Sequence, residues 1–290
     1  MSYVGWILIT GALVGISCGL IGVLLILRRM AMMADAISHT VLLGIVVAYL
    51  ISASLQGMTM LIGALFAGLL TTWLVQWFES KGIHSDASIG VVFTTLFSIG
   101  VVLISTSVGN VHLDVNHALM GEISFIPWNV IELPIIGDIP LAVVMLTVVT
   151  LIVVLMIGLF YKEWKITTFD PALAVSLGIP VLLLHYVFMT MVSITTVAAF
   201  DAVGAIMVVA MLITPAAAAN LWTDRLLVMF GLSAFFGAAS STIGYGIAIW
   251  LNTSISGSMA FATGLIFLIS YLVAPLYGMI SRLTRKRTVI

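Results

Sequence analysis

Long apolar segments alternate with short polar turns along almost the whole chain. A transmembrane helix needs about 20 apolar residues, and these segments are of that length. They lack the alternation of apolar and polar positions that is typical of half-buried strands. The segments cover approximately residues 4–27, 36–55, 58–79, 87–108, 140–161, 180–199, 202–222, 226–251 and 257–280. The pattern predicts an all-α polytopic membrane protein with about nine transmembrane helices, forming a single transmembrane domain over residues 1–290.

The composition agrees with this prediction and excludes two other classes of protein. Hydrophobic residues make up 62% of the 290 residues and charged residues only 7%, against about 25% charged in soluble domains. So few charges cannot build a water-facing surface, and so apolar a chain cannot remain disordered. The single cysteine, Cys18, excludes a disulfide framework. Residues 1–6 lack the positive region of a cleaved signal peptide, so the first segment is expected to be retained.

The positive charges predict the orientation of the helices. With nine spans, every lysine and arginine falls on one side, which the positive-inside rule assigns to the cytoplasm. The N-terminus is then outside and the C-terminus is cytoplasmic. An arrangement with eight spans, in which two segments merge or one is re-entrant, is the minority alternative. The ten positively charged residues are Arg28, Arg29, Lys81, Lys162, Lys165, Arg225, Arg282, Arg285, Lys286 and Arg287.

The long outer loop, residues 109–139, contains acids and histidines but no lysine or arginine. Such a face attracts cations, and imidazole and carboxylate are ligands of manganese, iron and zinc. The candidate ligands are His112, Asp114, His117 and Glu122. The alternative is that these acids, together with Glu132 and Asp138, only keep the loop hydrated and bind no cation. The sequence leaves both interpretations open.

Asp35 and His39 are the main candidate site within the membrane. Their spacing of four residues places both side chains on one helix face, where both could reach a single cation. An ionisable residue at the centre of a membrane helix costs roughly 2.5–3.5 kcal/mol, so such residues usually mark function. A two-fold dimer would bring together up to four ligands. The alternative is that Asp35 only caps the second helix and His39 is an interhelical donor.

Three other residues within the apolar segments receive weaker interpretations. Asp201 is expected to cap the helix that follows it. His185 is expected to pack or to reach towards the membrane surface, without a chemical role. Pro215 must leave one backbone bond open in the seventh segment, where a kink or an unwound turn could line a pathway, although plain helix packing is an equal alternative.

The first segment carries glycines at every fourth position. Gly11, Gly15 and Gly19, with Gly22 close behind, predict a seam along which another helix approaches closely. The stretch from Gly15 to Gly19 also matches the G-x-S-x-G pattern of hydrolases. Ser17 is predicted in the middle of a span and not at a strand-to-helix turn, which disfavours an intramembrane hydrolase.

The cytoplasmic segment 162–180 contains start and stop signals for a short helix over residues 171–177. Asp170 suits the N-cap and Pro171 the first helical position. Gly178 suits the left-handed position after the helix, and Pro180 prevents its continuation.

A helix this short is not stable alone, so it must dock on another surface. Leu173, Ala174 and Leu177 form its apolar stripe. The surface is either the protein's own cytoplasmic face or a separate ATPase. The chain contains no G-x-x-x-x-G-K-[ST] motif, so ATP would be bound by another polypeptide.

With these residues considered together, the chain resembles the permease subunits of manganese, zinc and iron ABC importers, the ABC-3 family, over nearly its whole length. The strongest similarity runs from Leu27 through His39, which is similar to the family's "LRRM…DAISH" signature. Weaker similarities follow in the family's order: Ser85–Gly90, His112–Asp114, Gly121–Glu122, Thr168–Asp170, Ala202–Gly204 and Thr214–Ala216.

The resemblance implies a transport subunit and not an enzyme, in a bacterial cell membrane and without a permanently bound cofactor. Its implied partners are a second permease, two cytoplasmic ABC ATPase subunits and an extracytoplasmic metal-binding lipoprotein. It implies that Asp35 and His39 contact the transported metal, with manganese first, then zinc or iron, and that residues 169–178 form the coupling helix. The outer loop is similar to the subset in which two different permeases are often paired. Homodimer and heterodimer both stay open.

The chain departs from the family pattern at Thr40, which follows His39, and at Leu43, where proline is common. These differences change the expected helix geometry but leave the ligand types intact. A stand-alone cation channel or a proton-coupled secondary transporter is the alternative function. A secondary transporter would often show an inverted internal repeat, which the sequence does not display, and it would have no use for a docking helix.

Overall fold

A computed structural model of the chain describes residues 3–52, 57–107, 123–128, 130–133 and 137–275. Its helices are α1 (Tyr3–Leu27), α2 (Ala31–Ser52), α3 (Gly57–Ser80), α4 (Ser85–Ser107), α5 (Leu141–Leu159), α6 (Tyr161–Phe169), α7 (Pro171–Ser176), α8 (Val181–Val203), α9 (Ala205–Trp222), α10 (Leu226–Leu251) and α11 (Ile255–Val273).

Among the described residues, nine helices are long and apolar enough to cross a membrane, as the apolar pattern predicted. These are α1 to α5, with α3 counted from Ile62, and α8 to α11. Two boundaries differ in a way that matters. Helix α2 begins at Ala31, five residues before the predicted apolar segment, and α8 continues to Val203. Polar residues near the ends of apolar segments, including Asp35 and Asp201, therefore lie inside helices.

Several short elements outside the spans were not predicted. The segment between α4 and α5 contains a 3-10 helix, Ile123–Trp128, and an antiparallel hairpin of β1 (Val130–Leu133) and β2 (Gly137–Pro140). In the hairpin, Val130 is paired with Pro140 and Leu133 with Gly137. The Tyr3 hydroxyl donates a hydrogen bond of 2.7 Å to the carbonyl of Ser124. The start of α1 is therefore hydrogen-bonded to the 3-10 helix between α4 and α5.

Helix α1 is the most buried of these spans, and its glycine seam is confirmed. A methyl group built on Gly15 would overlap the backbone of Gly237 on α10, and the reverse holds for Gly237. Gly22 meets the carbonyl of Leu212 on α9 in the same way. Close approach of this kind drives helix association where lipid removes the hydrophobic contrast.

Polar contacts accompany this close approach. The Ser233 hydroxyl of α10 donates to the carbonyl of Gly19 at 2.7 Å. A comparable glycine contact, which the sequence analysis did not identify, joins α2 to α3 at Gly44 and Gly63. Small residues thus determine which helices lie next to each other.

Ser17 has no feature of a hydrolase nucleophile. It is buried in the middle of α1, and its hydroxyl donates to the carbonyls of Leu13 at 2.8 Å and Val14 at 3.2 Å. A serine with this setting satisfies its hydroxyl within its own helix. The structure therefore agrees with the interpretation that the G-x-S-x-G match is a packing feature.

Helix α9 is continuous through Pro215, which is buried. The unwound turn considered from the sequence is therefore absent from α9, and the burial of Pro215 agrees with the helix-packing alternative. Proline is tolerated within transmembrane helices because neighbouring helices and local adjustments compensate for the missing backbone bond.

Adding a methyl group at the α1–α10 crossing should destabilise the protein. We expect Gly15→Ala to lower the free energy of unfolding by about 1–3 kcal/mol, because the overlap with Gly237 forces the helices apart. Gly246→Ala is the matched control, since it lies on α10 with no atom within 4 Å of the added methyl group. Unfolding in detergent measures both, and equal losses would contradict the role of the crossing.

Candidate functional site

Asp35 and His39 lie on one face of α2, as their spacing predicted. The Nε2 atom of His39 is 3.5 Å from Oδ1 of Asp35. The side chains are 32% and 36% exposed for His39 and Asp35, so both are open on one side in the single chain. Two ligand atoms at about 2.1 Å from one ion lie about 3.0–3.4 Å apart, so this separation suits a shared cation.

The alternative that Asp35 only caps α2 is wrong. The helix begins at Ala31, so Asp35 is already in its second turn and cannot occupy the N-cap. The N-cap position precedes the first helical residue, where backbone N–H groups lack partners. The carboxylate of Asp35 therefore has no capping role, and its partner in the described chain is His39.

Two aromatic rings of α4 stand beside His39. The ring centroids of Phe93 and Phe97 are 5.4 Å and 5.8 Å from that of the imidazole. They restrict the orientation of the imidazole and exclude water from one side of it. Neither phenylalanine was predicted from the sequence to lie at the site. Their i, i+4 spacing was visible, but nothing in the sequence paired α4 with α2.

Within the described ranges, no group of three or more histidine, cysteine, aspartate or glutamate side chains is placed to hold a metal ion. Asp35 and His39 offer two potential ligand side chains, whereas zinc sites in proteins have four ligands and larger ions often have more. The described residues of one chain would therefore supply only part of a ligand set at this position.

The face of α4 next to the two phenylalanines carries hydroxyl groups. Thr94, Ser98 and Ser105 are exposed in the single chain and follow one another at helical spacing. The hydroxyl of Thr94 donates to the carbonyl of Gly90 at 2.7 Å, and that of Ser98 donates to the carbonyl of Thr94 at 2.7 Å. Each remaining hydroxyl oxygen can still accept a hydrogen bond or contact a cation.

Asp201 and His185 both lie on α8, far in sequence from Asp35 and His39. The prediction that Asp201 caps the next helix is wrong, because α8 continues past it to Val203 and Gly204 precedes α9 without a capping side chain. Gly204 has a φ of 80°, which a glycine adopts without strain, and this permits the abrupt change of direction. His185 is half-buried, with its ring 5.9 Å from that of Tyr186.

The predicted start of the short helix α7 is confirmed. The Asp170 side chain accepts a hydrogen bond of 2.9 Å from the backbone N–H of Leu173, and Pro171 is the first helical residue. The cap satisfies one of the N–H groups that a helix start leaves without a partner.

The predicted end of α7 is confirmed as well. Gly178 has a φ of 76°, the left-handed position, and its N–H donates to the carbonyl of Val175 at 3.0 Å. The N–H of Ile179 donates to the carbonyl of Ala174 at 3.0 Å. These two bonds form a Schellman motif. The helix ends at Ser176, one residue earlier than predicted.

The apolar stripe of α7 divides between two directions. Ala174 is fully buried against the protein, whereas Leu173 is 47% exposed and Leu177 is 60% exposed. The alternative of docking on the protein's own surface therefore applies to Ala174 alone among these three. Beside the helix lies a groove of about 410 Å³, lined by Lys162, Lys165, Ile166, Phe169, Asp170 and Leu173.

The predicted ligands of the outer loop, His112, Asp114, His117 and Glu122, lie outside the described residues.

Comparisons with known proteins agree with this architecture. The family described as ABC 3 transport family matches residues 1–274. The chain is 57% identical over 285 residues to the manganese transport system membrane protein MntD of Bacillus subtilis (strain 168), covering 98% of this chain and 97% of that protein. It is 41% identical to the zinc transport system membrane protein TroD of Treponema pallidum (strain Nichols), covering 95% and 75%.

A solved structure is similar along the whole chain. It is PsaBC from Streptococcus pneumoniae in complex with Fab, with a TM-score of 0.81 and 32% sequence identity, covering 99% of this chain and 96% of the other. The fold, the spans and the sequence similarity therefore agree. The chain belongs to the ABC 3 transport family, as a multi-pass membrane permease subunit of a bacterial ABC transport system.

Proposed function

We propose that this permease conducts a divalent transition metal, manganese first, with zinc or iron as alternatives, and that Asp35 and His39 contact the ion in transit. The observation that carries the proposal is the 3.5 Å separation of a carboxylate and an imidazole on one open helix face. Carboxylate and imidazole suit all three metals, so the ligand types do not separate them. Manganese is placed first because the relative with 57% identity is a manganese transport system protein.

The orientation that we propose places α6, α7 and the α1–α2 turn in the cytoplasm. With nine alternating spans, Arg28, Arg29, Lys81 and Arg225 lie on the side of Lys162 and Lys165. The positive-inside rule makes this side cytoplasmic, with the N-terminus outside and the C-terminus inside. Residues 1–290 then form one permease domain, with the outer loop at 109–139 and the coupling segment at 162–180.

A second permease completes the ligand set in this proposal. Asp35 and His39 are partly exposed in the single chain, and α4 carries the exposed residues Thr94 and Ser98 next in sequence to Phe93 and Phe97, whose rings lie near His39. A two-fold axis next to this face would bring two carboxylates and two imidazoles together. The second permease is either another copy of this chain or a sister chain.

Transit requires that the site release the ion as well as accept it. Conduction needs binding that is favourable enough for entry and weak enough for exit. Both imidazoles must be neutral to bind the ion, because a protonated ring offers no lone pair. Ligands divided between two chains meet this requirement, since a small shift of one chain against the other breaks the set.

Energy enters through α7 in this proposal. Leu173 and Leu177 are exposed, and Asp170 and Gly178 fix the helix at both ends. These leucines anchor the helix in a groove of a separate cytoplasmic ATPase. Their burial contributes roughly 3–6 kcal/mol at most, part of which is lost to ordering. An extracytoplasmic lipoprotein delivers the metal to the outer loop.

Loss of either proposed metal ligand should stop transport. We expect His39→Ala and Asp35→Ala to lower Mn²⁺ uptake by more than about tenfold, since that factor corresponds to only 1.4 kcal/mol. Uptake is measured in proteoliposomes that contain the permease with its ATPase. His84→Ala, which removes an exposed histidine in the turn before α4, is the control. Near-normal uptake by a well-folded His39→Ala variant would refute the assignment.

Charging the exposed face of α7 should detach the ATPase. We expect the double change Leu173→Asp and Leu177→Asp to abolish co-purification of the ATPase and metal-stimulated ATP hydrolysis, because two buried carboxylates are costly. Ile83→Asp is the matched control, since Ile83 is an exposed apolar residue of the α3–α4 turn on the same side. Retention of both properties would exclude α7 as the coupling element. Metal transport without any ATPase would favour a channel or a secondary transporter.

Neutralising the outer-loop acids should slow uptake at low metal concentration. We propose that His112, Asp114, His117 and Glu122 receive the cation or form the docking surface for the lipoprotein. The double change Asp114→Asn and Glu122→Gln is expected to raise the metal concentration for half-maximal uptake. Glu132→Gln with Asp138→Asn changes the charge of the same loop equally and is the control. Unchanged uptake and lipoprotein binding would reduce the loop to a connector.

A further inference from the structure

The turn between α1 and α2 has a strained conformation at an arginine. The N–H of Arg29 donates to the carbonyl of Ile26 at 3.0 Å, and the N–H of Met30 donates to the carbonyl of Leu25 at 2.8 Å. This is a Schellman pattern, in which the left-handed residue is usually glycine. Here that residue is Arg29, with a φ of 59°. Backbone strain of this kind persists where the surrounding structure enforces it, and it is common at switch regions.

The preceding residue, Arg28, is directed into the protein. Its Nη2 donates to the Thr167 hydroxyl at 2.9 Å, and its Nε donates to the Thr168 hydroxyl at 3.1 Å. Its Cζ lies 5.4 Å from the ring centroid of Trp164 and 5.0 Å from that of Phe188. One guanidinium therefore joins the end of α1 to both α6 and α8.

These contacts hold a cation without a counter-ion. In the part of the chain that the structure describes, no carboxylate lies within salt-bridge distance of Arg28. Burial lowers the pKa of Arg28 to about 10, so the group remains charged at neutral pH. Arg28 is half-buried, and a partly desolvated charge without an ion-pair partner is less favourable there than an apolar side chain of similar volume. Packing alone therefore does not account for the arginine.

The position of Arg28 in the chain suggests what the contact does. Thr168 lies two residues before Asp170, which caps α7. Arg28 lies three residues before Ala31, the first residue of α2, and α2 carries Asp35. Arg28 and Thr168 are 140 residues apart in sequence. One side chain thus bridges the proposed ATPase-docking segment and the helix of the proposed metal ligands.

We propose that Arg28 is a positioning residue that transmits movement of α6 and α7 to the α1–α2 turn, and through it to Asp35 and His39. The inference rests on the proposed function. The two hydroxyls hold the guanidinium in a fixed direction, so a displacement of α6 displaces Arg28. The tight turn at Arg29 then passes the displacement to α2 instead of absorbing it.

Buried Trp164 makes the α6 side of the contact firm. Its ring is fully buried, and its Nε1 donates to the carbonyl of Met156 on α5 at 3.2 Å. The ring that faces Arg28 therefore cannot rotate away without breaking this bond. A cation that lies over a fixed ring follows the helix that carries the ring.

A double-mutant cycle tests the proposal in the complete permease–ATPase complex. The variants are Arg28→Met, Thr168→Val and the double variant, and the readout is Mn²⁺ transported per ATP hydrolysed in proteoliposomes. We expect Arg28→Met to lower this ratio by about tenfold. The double variant should transport no less Mn²⁺ per ATP than Arg28→Met, because both single changes remove the same contact between Arg28 and Thr168. Arg28→Lys keeps the charge but loses the forked donor geometry, so its ratio should be intermediate.

Co-purification of the ATPase and the unfolding temperature separate this role from a merely structural one. Arg28→Met should retain the ATPase, because Leu173 and Leu177 are unchanged. Lys81→Gln, which removes the charge of an exposed basic residue in the α3–α4 turn, is the control and should have a normal ratio. A normal ratio in Arg28→Met, or an equal loss in Lys81→Gln, would overturn the proposal.

Two further outcomes keep the test decisive. If Arg28→Met does not fold, Arg28→Lys and Thr168→Val carry the test, and normal ratios in both would overturn the proposal. If the wild-type complex shows no Mn²⁺-dependent ATP hydrolysis, the proposed function fails and this inference fails with it. If the wild type and the variants all transport the same amount of Mn²⁺ per ATP hydrolysed, the inference is overturned while the proposed function stands.

Discussion

The close crossing of α1 with α10 and α9 is the constraint on which the rest of the structure depends. Lipid chains are as apolar as leucine side chains, so helices in a membrane associate through close packing and hydrogen bonds. Gly15 and Gly237 allow two backbones to meet, and the Ser233 hydroxyl bonds to the carbonyl of Gly19 in the same seam. This fixes α1 in the centre of the fold. The end of α1 then determines where Arg28 and the start of α2 lie.

The proposed metal pair, Asp35 and His39, depends on this placement because α2 begins three residues after Arg28. Helix α2 is held in turn by α3 through Gly44 and Gly63, and by α4, which supplies Phe93 and Phe97 beside His39. A rigid surround on one side and an open face on the other are the properties that the proposed transient metal site needs. The two proposed ligands are preorganised on a fixed helix, and in the proposal a second permease supplies the others.

The segment that contains α7 has the opposite character. Helix α7 is only six residues long, and its stability comes from Asp170 and Gly178 at its two ends and from Ala174 beneath it. Its leucines are left exposed, and two lysines, Lys162 and Lys165, line the adjacent groove. A short element that is firmly capped but weakly packed can move as a unit. Through Thr168 such a movement reaches Arg28, and this links the segment to the core of the bundle.

The sequence by itself determined the class of the protein, the nine spans and the caps of α7. These features follow from local physics: apolar length sets a membrane span, and Asp170, Pro171 and Gly178 satisfy or shape the backbone within a few residues. The spacing of Asp35 and His39 also fixed their common face, because four residues make about one helical turn. The role of Asp201 was misjudged, since α8 continues to Val203, beyond the apolar pattern.

Only the tertiary structure decided which distant residues meet. Phe93 and Phe97 beside His39, Gly44 against Gly63, and Arg28 against Thr168 are contacts between different helices. Apolar helices have no strongly polar side, so their hydrophobic pattern does not specify their neighbours. Small residues and single polar contacts select the neighbouring helix. In the sequence alone, each such residue could pair with positions on many other helices, so the partner is defined only once the helices are packed. The tertiary structure also determined that Leu173 and Leu177 are exposed, because the folded bundle covers only the side of α7 that carries Ala174.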